Sequence, residues 1–299
     1  MALDSERELL VNSNPQLQSY YSSLESRIGY RLLLGDTRHF GYYEHDTYWP
    51  FTLNRALRAM EEKMAASLGL SSGAHVLDAG CGVGHVALHL ARHFGYRVQG
   101  IDIVDHHLVK ARQNIVRSRL PEGQVEVRKM DYHHLESLDE ESFDGVYTME
   151  TLVHATEPMA VLAGFYRVLR PGGRLSLFEY DHDTLENSPN GMAASMRKIK
   201  NFAAMPTNAV SHPGVFKSML EDTGFTDIVV RDYSENIRPM TRLFVWNRTE
   251  AMAIGGMLPS QQQSRGGFSK LRKIVETIFL SAYEALQQKG LMNLAYRQR

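Results

Sequence analysis

The chain has a single cysteine, Cys81, in 299 residues, so no disulfide can close within it and nothing points to an oxidising compartment. Neither charge is in excess: 33 basic and 34 acidic residues leave a formal net charge of -1. That balance gives no global reason to bind nucleic acid or an anionic membrane. The local basic cluster of Arg197, Lys198 and Lys200 reads as a solvated face. No window reaches the apolar length of a membrane helix, and the opening stretch MALDSERELLVNSNPQ lacks the apolar core of a secretory signal. CxxC and HExxH spacings are absent, and His106–His107 and His133–His134 lack companions at metal spacing, so no metal is expected. These absences lead to the expectation of a cytoplasmic protein with no nucleic-acid partner and no stable membrane insertion.

What the chain does have, from about residue 75 to 180, is an alternation of short apolar runs with amphipathic stretches. His75–Leu77, Arg97–Ile101, Val125–Lys129, Phe143–Thr148 and Arg174–Phe178 read as strands. Val83–Phe94, His106–Leu120 and Pro158–Leu169 read as helices, with a Pro171-Gly172-Gly173 turn before the fifth strand. Such alternation predicts a parallel sheet covered by helices on both faces. Further on, Val215–Thr223 reads as a helix, Thr226–Tyr233 as a strand, Phe268–Gln288 as a helix with one apolar face, and Leu291–Tyr296 as a last strand.

The stretch HVLDAGCGVG places Gly80, Gly82 and Gly84 between the first strand and the first helix. Glycine there permits positive φ and close approach of a ligand, and such a loop at a helix N-terminus cradles a nucleotide or a relative of one. Asp102 ends the next strand, where a ribose diol would be bound. The glycine spacing is not that of GxGxxG. Asp78 inside the loop would repel a pyrophosphate but suit a ligand with a cationic amine and a sulfonium. Cys81 reads as a small buried filler beside these glycines.

VLDAGCGVG resembles the first motif of class I S-adenosylmethionine (SAM)-dependent methyltransferases; KMDYHHL and YRVLRPGG resemble two later ones, in order over residues 75–180. The resemblance implies a Rossmann-like α/β fold with a mostly parallel seven-stranded sheet, and SAM as cofactor. It also implies that Asp102 with Ile103 takes the ribose and that Asp131, beside Tyr132, takes the adenine amine. The glycines would then make room for the methionine and ribose part of SAM.

Finer resemblance is to the sterol C-methyltransferase branch and its terpenoid and tocopherol relatives. YRLLLGDTRHF keeps Tyr30, Gly35, His39 and Phe40 of that branch's aromatic segment, so Tyr30 and Phe40 are grouped with the cofactor-binding residues. YTMETLVHATEP keeps Tyr147, Glu150, His154 and Ala155 of a segment after the fourth strand. Leu34, Arg38, His85 and Thr151-Leu152 depart from the pattern. In C-methylation an alkene attacks the methyl group and leaves a carbocation; aromatic faces stabilise it, and a carboxylate such as Glu150 steadies it or accepts its proton. His154 is a candidate base, and His39 another.

The expected organisation is a helical N-terminal lid over 1–66, a SAM-binding core over 67–180 and a cap insertion over 181–212. The rest of the core would run over 213–299, with an insertion at about 235–289. Methionines in or near the cap (Met192, Met196, Met205) suit an adaptable apolar pocket, so a small hydrophobic substrate is expected; by resemblance there is room for a homo-oligomer. The leading expectation is C-methylation of a terpenoid, sterol-like or alkaloid metabolite. O- or N-methylation is the first alternative. Cyclisation or rearrangement on a SAM fold, without methyl transfer, is the second.

Overall fold

The computed structural model describes residues 14, 15, 17, 37, 39–44, 47, 53–180, 206–209, 212, 214–240 and 291–297, and only the backbone of 180, 208, 209 and 291–297. Tyr30, most of the cap and the expected 268–288 helix lie outside the described residues.

Helix α1 (Leu53–Leu68) buries Ala56, Leu57, Met60, Met64, Ala65 and Leu68 along one stripe, and Glu61 occupies a slot in that stripe. Strand β1 (His75–Ala79) follows, then α2 (His85–Phe94), β2 (Arg97–Asp102), α3 (Asp105–Ser118), β3 (Val125–Lys129) and β4 (Phe143–Met149). A 3-10 turn at Leu152–His154 leads to α4 (Pro158–Val168), which opens on proline at a position needing no N–H partner. Strand β5 (Leu169–Tyr180), helix α5 (Val215–Thr223) and strands β6 (Thr226–Asp232) and β7 (Leu291–Arg297) complete the described elements.

The strands form one seven-stranded sheet in the order β3-β2-β1-β4-β5-β7-β6. Strands β1 to β5 pair in parallel, and β7 runs antiparallel to both of its neighbours. Alternate side chains of the central strands face two different cores. Val76, Tyr147 and Phe178 pack with α1 and α2, while Leu77, Val146 and Leu177 pack with α4 and α5. Burial on both faces is why these strands read as continuous apolar runs rather than polar-apolar alternation.

Two boundaries differ from expectation. Strand β5 begins at Leu169, which pairs with Phe143, whereas the next registered pair is Gly145 with Arg174. The Pro171-Gly172 turn is therefore a bulge within the strand, with Gly172 at φ +82°. Residues 234–240, part of a stretch with no clear pattern, are helical. Ile237 and Met240 of that helix are buried against Phe40 and Tyr43, and Asn236 Nδ2 donates to the Tyr43 carbonyl at 2.7 Å.

Candidate active site

The order of the strands reverses between β1 and β4, and a cavity opens at the carboxyl ends of the strands beside that point, where ligands of open α/β sheets bind. Its walls include His39, Asp78, Gly80, Gly82, Asp102, Ile103, Asp131, Tyr132, Glu150 and His154. Residues separated by over a hundred positions in sequence thus meet in one place. Asn14, Leu17 and Thr37 close it from the N-terminal side. Two hydrogen bonds fasten that side down: Asn14 Nδ2 donates to the His154 carbonyl at 2.9 Å, and Thr37 Oγ1 pairs with His85 Nδ1 at 2.9 Å.

The three glycines divide their work. Gly80, at φ +95°, lets Thr151 come close; a Cβ there would lie 2.7 Å from the threonine side chain, whose Oγ1 donates to the Ala79 carbonyl. Gly84, at φ +79°, caps α2 and a Cβ on it would meet only Ala111; it is not on the cavity wall. Only Gly82, at φ +52°, would project a Cβ into open space. Of the three, Gly80 and Gly82 line the cavity and Gly84 does not. Gly100 adds a further close approach, accommodating Cys81. Burial, with Asp78 and Asp102 nearby, pushes the Cys81 thiol well above its usual range.

Four carboxylates define the electrostatics. Asp78 is 2% exposed, and its Oδ2 has no hydrogen-bond partner. Burial drives its carboxyl up to about 7; the nearby Tyr147 hydroxyl pulls the other way without reaching hydrogen-bond geometry, and Asp102 adds repulsion. For Asp102 burial again opposes ionisation, but His107 and the N–H groups of Val104 (2.7 Å) and Gly82 (2.8 Å) outweigh it and hold the carboxyl below its ordinary range. Asp131 Oδ1 accepts from the backbone N–H of His133 at 2.9 Å and from its Nδ1 at 2.6 Å. His133 Nε2 accepts the Thr156 N–H, which fixes that ring as a neutral Nδ1–H tautomer. Glu150 sits at φ +57°, a strained value for a residue with a side chain, and its Oε1 accepts the Phe40 N–H at 2.6 Å.

The turn carrying Glu150 is pinned from below by Glu179. Its Oε1 accepts the Thr148 hydroxyl at 2.7 Å and the N–H groups of Thr151 and Leu152, leaving Oε2 without a partner. Burial raises this carboxyl to about 7 despite those donors, and Glu150 adds repulsion.

Two assignments change. Phe40 packs its ring in the core with Tyr43, Ala56 and Met60 and is not on the cavity wall; it serves the site through its backbone N–H. His39 lines the cavity, but Nδ1 faces the Phe40 carbonyl at 2.9 Å and Nε2 faces Glu61 Oε1 at 3.3 Å, so neither nitrogen is placed to act as a base. Sequence reading missed Asn14, Thr37, Glu61, His133 and Glu179. Only Glu61 gave a signal, as a charge on the apolar stripe of α1. Among the described residues no group of three or more His, Cys, Asp or Glu could hold a metal ion, and no helix is long and apolar enough to cross a membrane.

A fold of this order with an acid-and-glycine loop at its switch point defines a class, and comparison with known proteins agrees: a family profile described as a methyltransferase domain matches residues 77–177. The chain belongs to the class I SAM-dependent methyltransferase family. It is 46% identical to the S-adenosyl-L-methionine-dependent Diels-Alderase iccD of Talaromyces variabilis, over 76% of this chain and 79% of that one. It is 44% identical to the S-adenosyl-L-methionine-dependent Diels-Alderase iliD of Neonectria sp. (strain DH2), over 73% of this chain and 85% of that one. An O-methyltransferase, resE of Aspergillus sclerotiorum, is 31% identical over 68% and 74% of the two chains. The crystal structure of the [4+2]-cyclase SpnF shares the fold, with a TM-score of 0.72 at 20% identity and 97% of each chain covered.

The residues present fit the family's cofactor. A buried, unpartnered carboxylate oxygen on Asp78 calls for a cation, and the open space at Gly82 lies beside it on the same wall.

Proposed function

We propose that the chain catalyses a SAM-dependent cyclisation, a [4+2] closure of a small hydrophobic molecule carrying a conjugated diene and an activated alkene, without methyl transfer. The observation that carries this reading is the 46% identity, over most of both chains, to a protein named a SAM-dependent Diels-Alderase. A [4+2] closure forms two carbon–carbon σ bonds from π electrons the substrate already holds. No proton leaves and no base is needed, which accords with a His39 whose two nitrogens are both engaged.

Asp78 would hold the ammonium end of SAM, the Gly80–Gly82 backbone its methionine part, Asp102 with Ile103 the ribose, and Asp131 with Tyr132 the adenine. When bound, SAM supplies a fixed positive charge at its sulfonium, or a transferable methyl group. Met149, Glu150, His154 and Thr37 then form the remaining wall, where the substrate would be folded so that diene and alkene touch. The Asn14 and Thr37 hydrogen bonds shut that wall against water.

O-methyl transfer is the second reading, favoured by Glu150 and His154 on the cavity wall, where either could take a hydroxyl proton. C-methylation ranks below both, because relatives at 46% and 44% identity carry the name of a cyclisation and another at 31% that of an O-methyltransferase.

The test incubates purified chain with methyl-labelled SAM and an organic extract of the source organism, followed by mass spectrometry. An isomer of unchanged mass that forms only with SAM, while SAM is not consumed, is the expected result. A labelled product one CH2 heavier, with S-adenosylhomocysteine released, would replace cyclisation by methyl transfer.

A further inference from the structure

Glu61 is 0% exposed and stands on the apolar stripe of α1, where a side chain of that burial is ordinarily leucine or methionine. A carboxylate there demands compensation. It receives three basic neighbours: His39 Nε2 at 3.3 Å on Oε1, and Arg58 at 2.5 Å and His89 Nδ1 at 3.4 Å on Oε2. The buried residues next to it on the stripe, Leu57, Met60, Met64 and Ala65, are apolar.

The geometry at His39 favours two protons on its ring while Glu61 is ionised. Both ring nitrogens face acceptors, the Phe40 carbonyl on one side and the Glu61 carboxylate on the other. A neutral imidazole would point a lone pair at one of them; only the imidazolium donates to both. His133 is the internal contrast, with an acceptor on one nitrogen and a backbone donor on the other. Phe40, whose carbonyl takes the His39 proton, sends its own N–H to Glu150 on the cavity wall.

We propose that Glu61 is a positioning residue: it keeps His39 doubly protonated, and His39 through Phe40 sets the carboxylate of Glu150 in the cavity. The chain Glu61–His39–Phe40–Glu150 thus runs from a helix core to the substrate wall, and Glu61 touches neither substrate nor cofactor. Among the described residues, Glu61 on α1 and Glu150 beyond β4 act on His39 as negative charges and His89 on α2 neighbours it, while Arg58 on α1 pairs with Glu61. Burial works against the charge on His39, but Glu61 and then Glu150 outweigh it and raise its affinity for a proton. His89 is held neutral, first by burial and then by Arg58, His93, Arg92 and His39, so it does not compete for the charge. This inference rests on the proposed site, in which Glu150 meets the substrate, but its test does not depend on the reaction.

The test uses the full chain labelled with 15N in histidine and in the backbone, with His39 assigned by comparison to His39→Gln. In the wild type at about pH 6.5, where an ordinary histidine is half protonated, both His39 nitrogens should show imidazolium shifts, and the Phe40 amide proton should lie far downfield. In Glu61→Gln the His39 titration midpoint should fall by about one unit or more, and the Phe40 amide should move upfield. A neutral His39 in the wild type at that pH overturns the proposal. So does a midpoint, or a Phe40 amide, that is the same in wild type and variant. Should Glu61→Gln fail to fold, Glu61→Asp retracts the carboxylate by one methylene, and a smaller fall of the midpoint is expected; no fall is again decisive against it. Absence of cyclase activity would leave all these spectra unchanged and would count only against the functional reading.

Discussion

The Glu150 carboxylate accepts the Phe40 backbone N–H at 2.6 Å, across 110 residues of sequence. This one bond joins the N-terminal segment to the turn after β4 and fixes a strained residue at φ +57° on the cavity wall. Replacing Glu150 by Gln keeps an acceptor oxygen of nearly the same shape but removes its charge. A charge-assisted bond then becomes a neutral one, a loss of about 1 kcal/mol. Glu150→Gln is therefore expected to fold and to bind SAM within a few-fold of wild type, while turnover falls. Calorimetry with SAM, beside single-turnover rates, checks both; a tenfold loss of SAM affinity would place Glu150 in the cofactor site instead.

The unpartnered oxygen of Asp78 makes it a cost in the ligand-free protein and an asset when a cation is bound. Asp78→Asn should raise the ligand-free melting temperature above pH 7, through relief of about 1–3 kcal/mol of desolvation, while weakening SAM binding more than tenfold. Thermal melts with and without SAM read both effects. A variant that binds SAM as the wild type does would remove Asp78 from the cofactor site.

Stability of the ligand-free chain should depend on pH in a definite direction. Asp78 and Glu179 have folded-state values raised to about 7, and His39 is raised as well. For each of these the stabilisation is complete below the unfolded value and lost as pH climbs through the folded one. His89 is lowered to about 4, so its contribution is present above the ordinary histidine range and lost as pH falls. Two raised carboxylates against one lowered histidine leave a net loss of stability that runs upward from about pH 4.5 toward 7. His39 extends it above the ordinary histidine range, and SAM should oppose this decline. Melts across pH 5 to 9 test this, and a curve that rises steadily into the alkaline range would contradict it.

The division of labour among the glycines predicts opposite failures. Gly80→Ala drives a methyl group into Thr151 at a backbone angle of +95°, and should destabilise the chain by about 1–3 kcal/mol. Gly82→Ala meets no protein atom and sits at a milder +52°, so it should keep most of the stability yet lose SAM affinity. Equal losses of stability in the two would show that the space at Gly82 is not reserved for a ligand.

Much of this fold is legible before any coordinates. Val125–Lys129 and Val215–Thr223 fall where the pattern puts them, because their boundaries are set by local turns and caps such as Gly224 after α5. Asp78, Asp102, Asp131 and Glu150 are legible too, since each stands at or just beyond the carboxyl end of a strand and so arrives at the same sheet edge. His39 shows where sequence reading stops: a lone histidine in an aromatic segment resembles a base, and only its two partners, one of them 22 residues away on α1, show that both ring nitrogens are engaged. The bulge in β5 and the helix at 234–240 were hidden for the same reason, as pairing with β4 and packing on Phe40 decide them rather than local preference.

The order β5-β7-β6 also governs how the molecule can be made. Strand β6 leaves the ribosome well before β7, yet in the finished sheet it reaches β5 only through β7. Until residues 291–297 arrive, β5 presents an open hydrogen-bonding edge and β6 has no strand partner among the described residues. A nascent chain in that interval is open to strand exchange with other copies. Slow synthesis through residues 233–290, or fusions that delay docking of β7, should therefore lower the yield of soluble protein without altering its final stability.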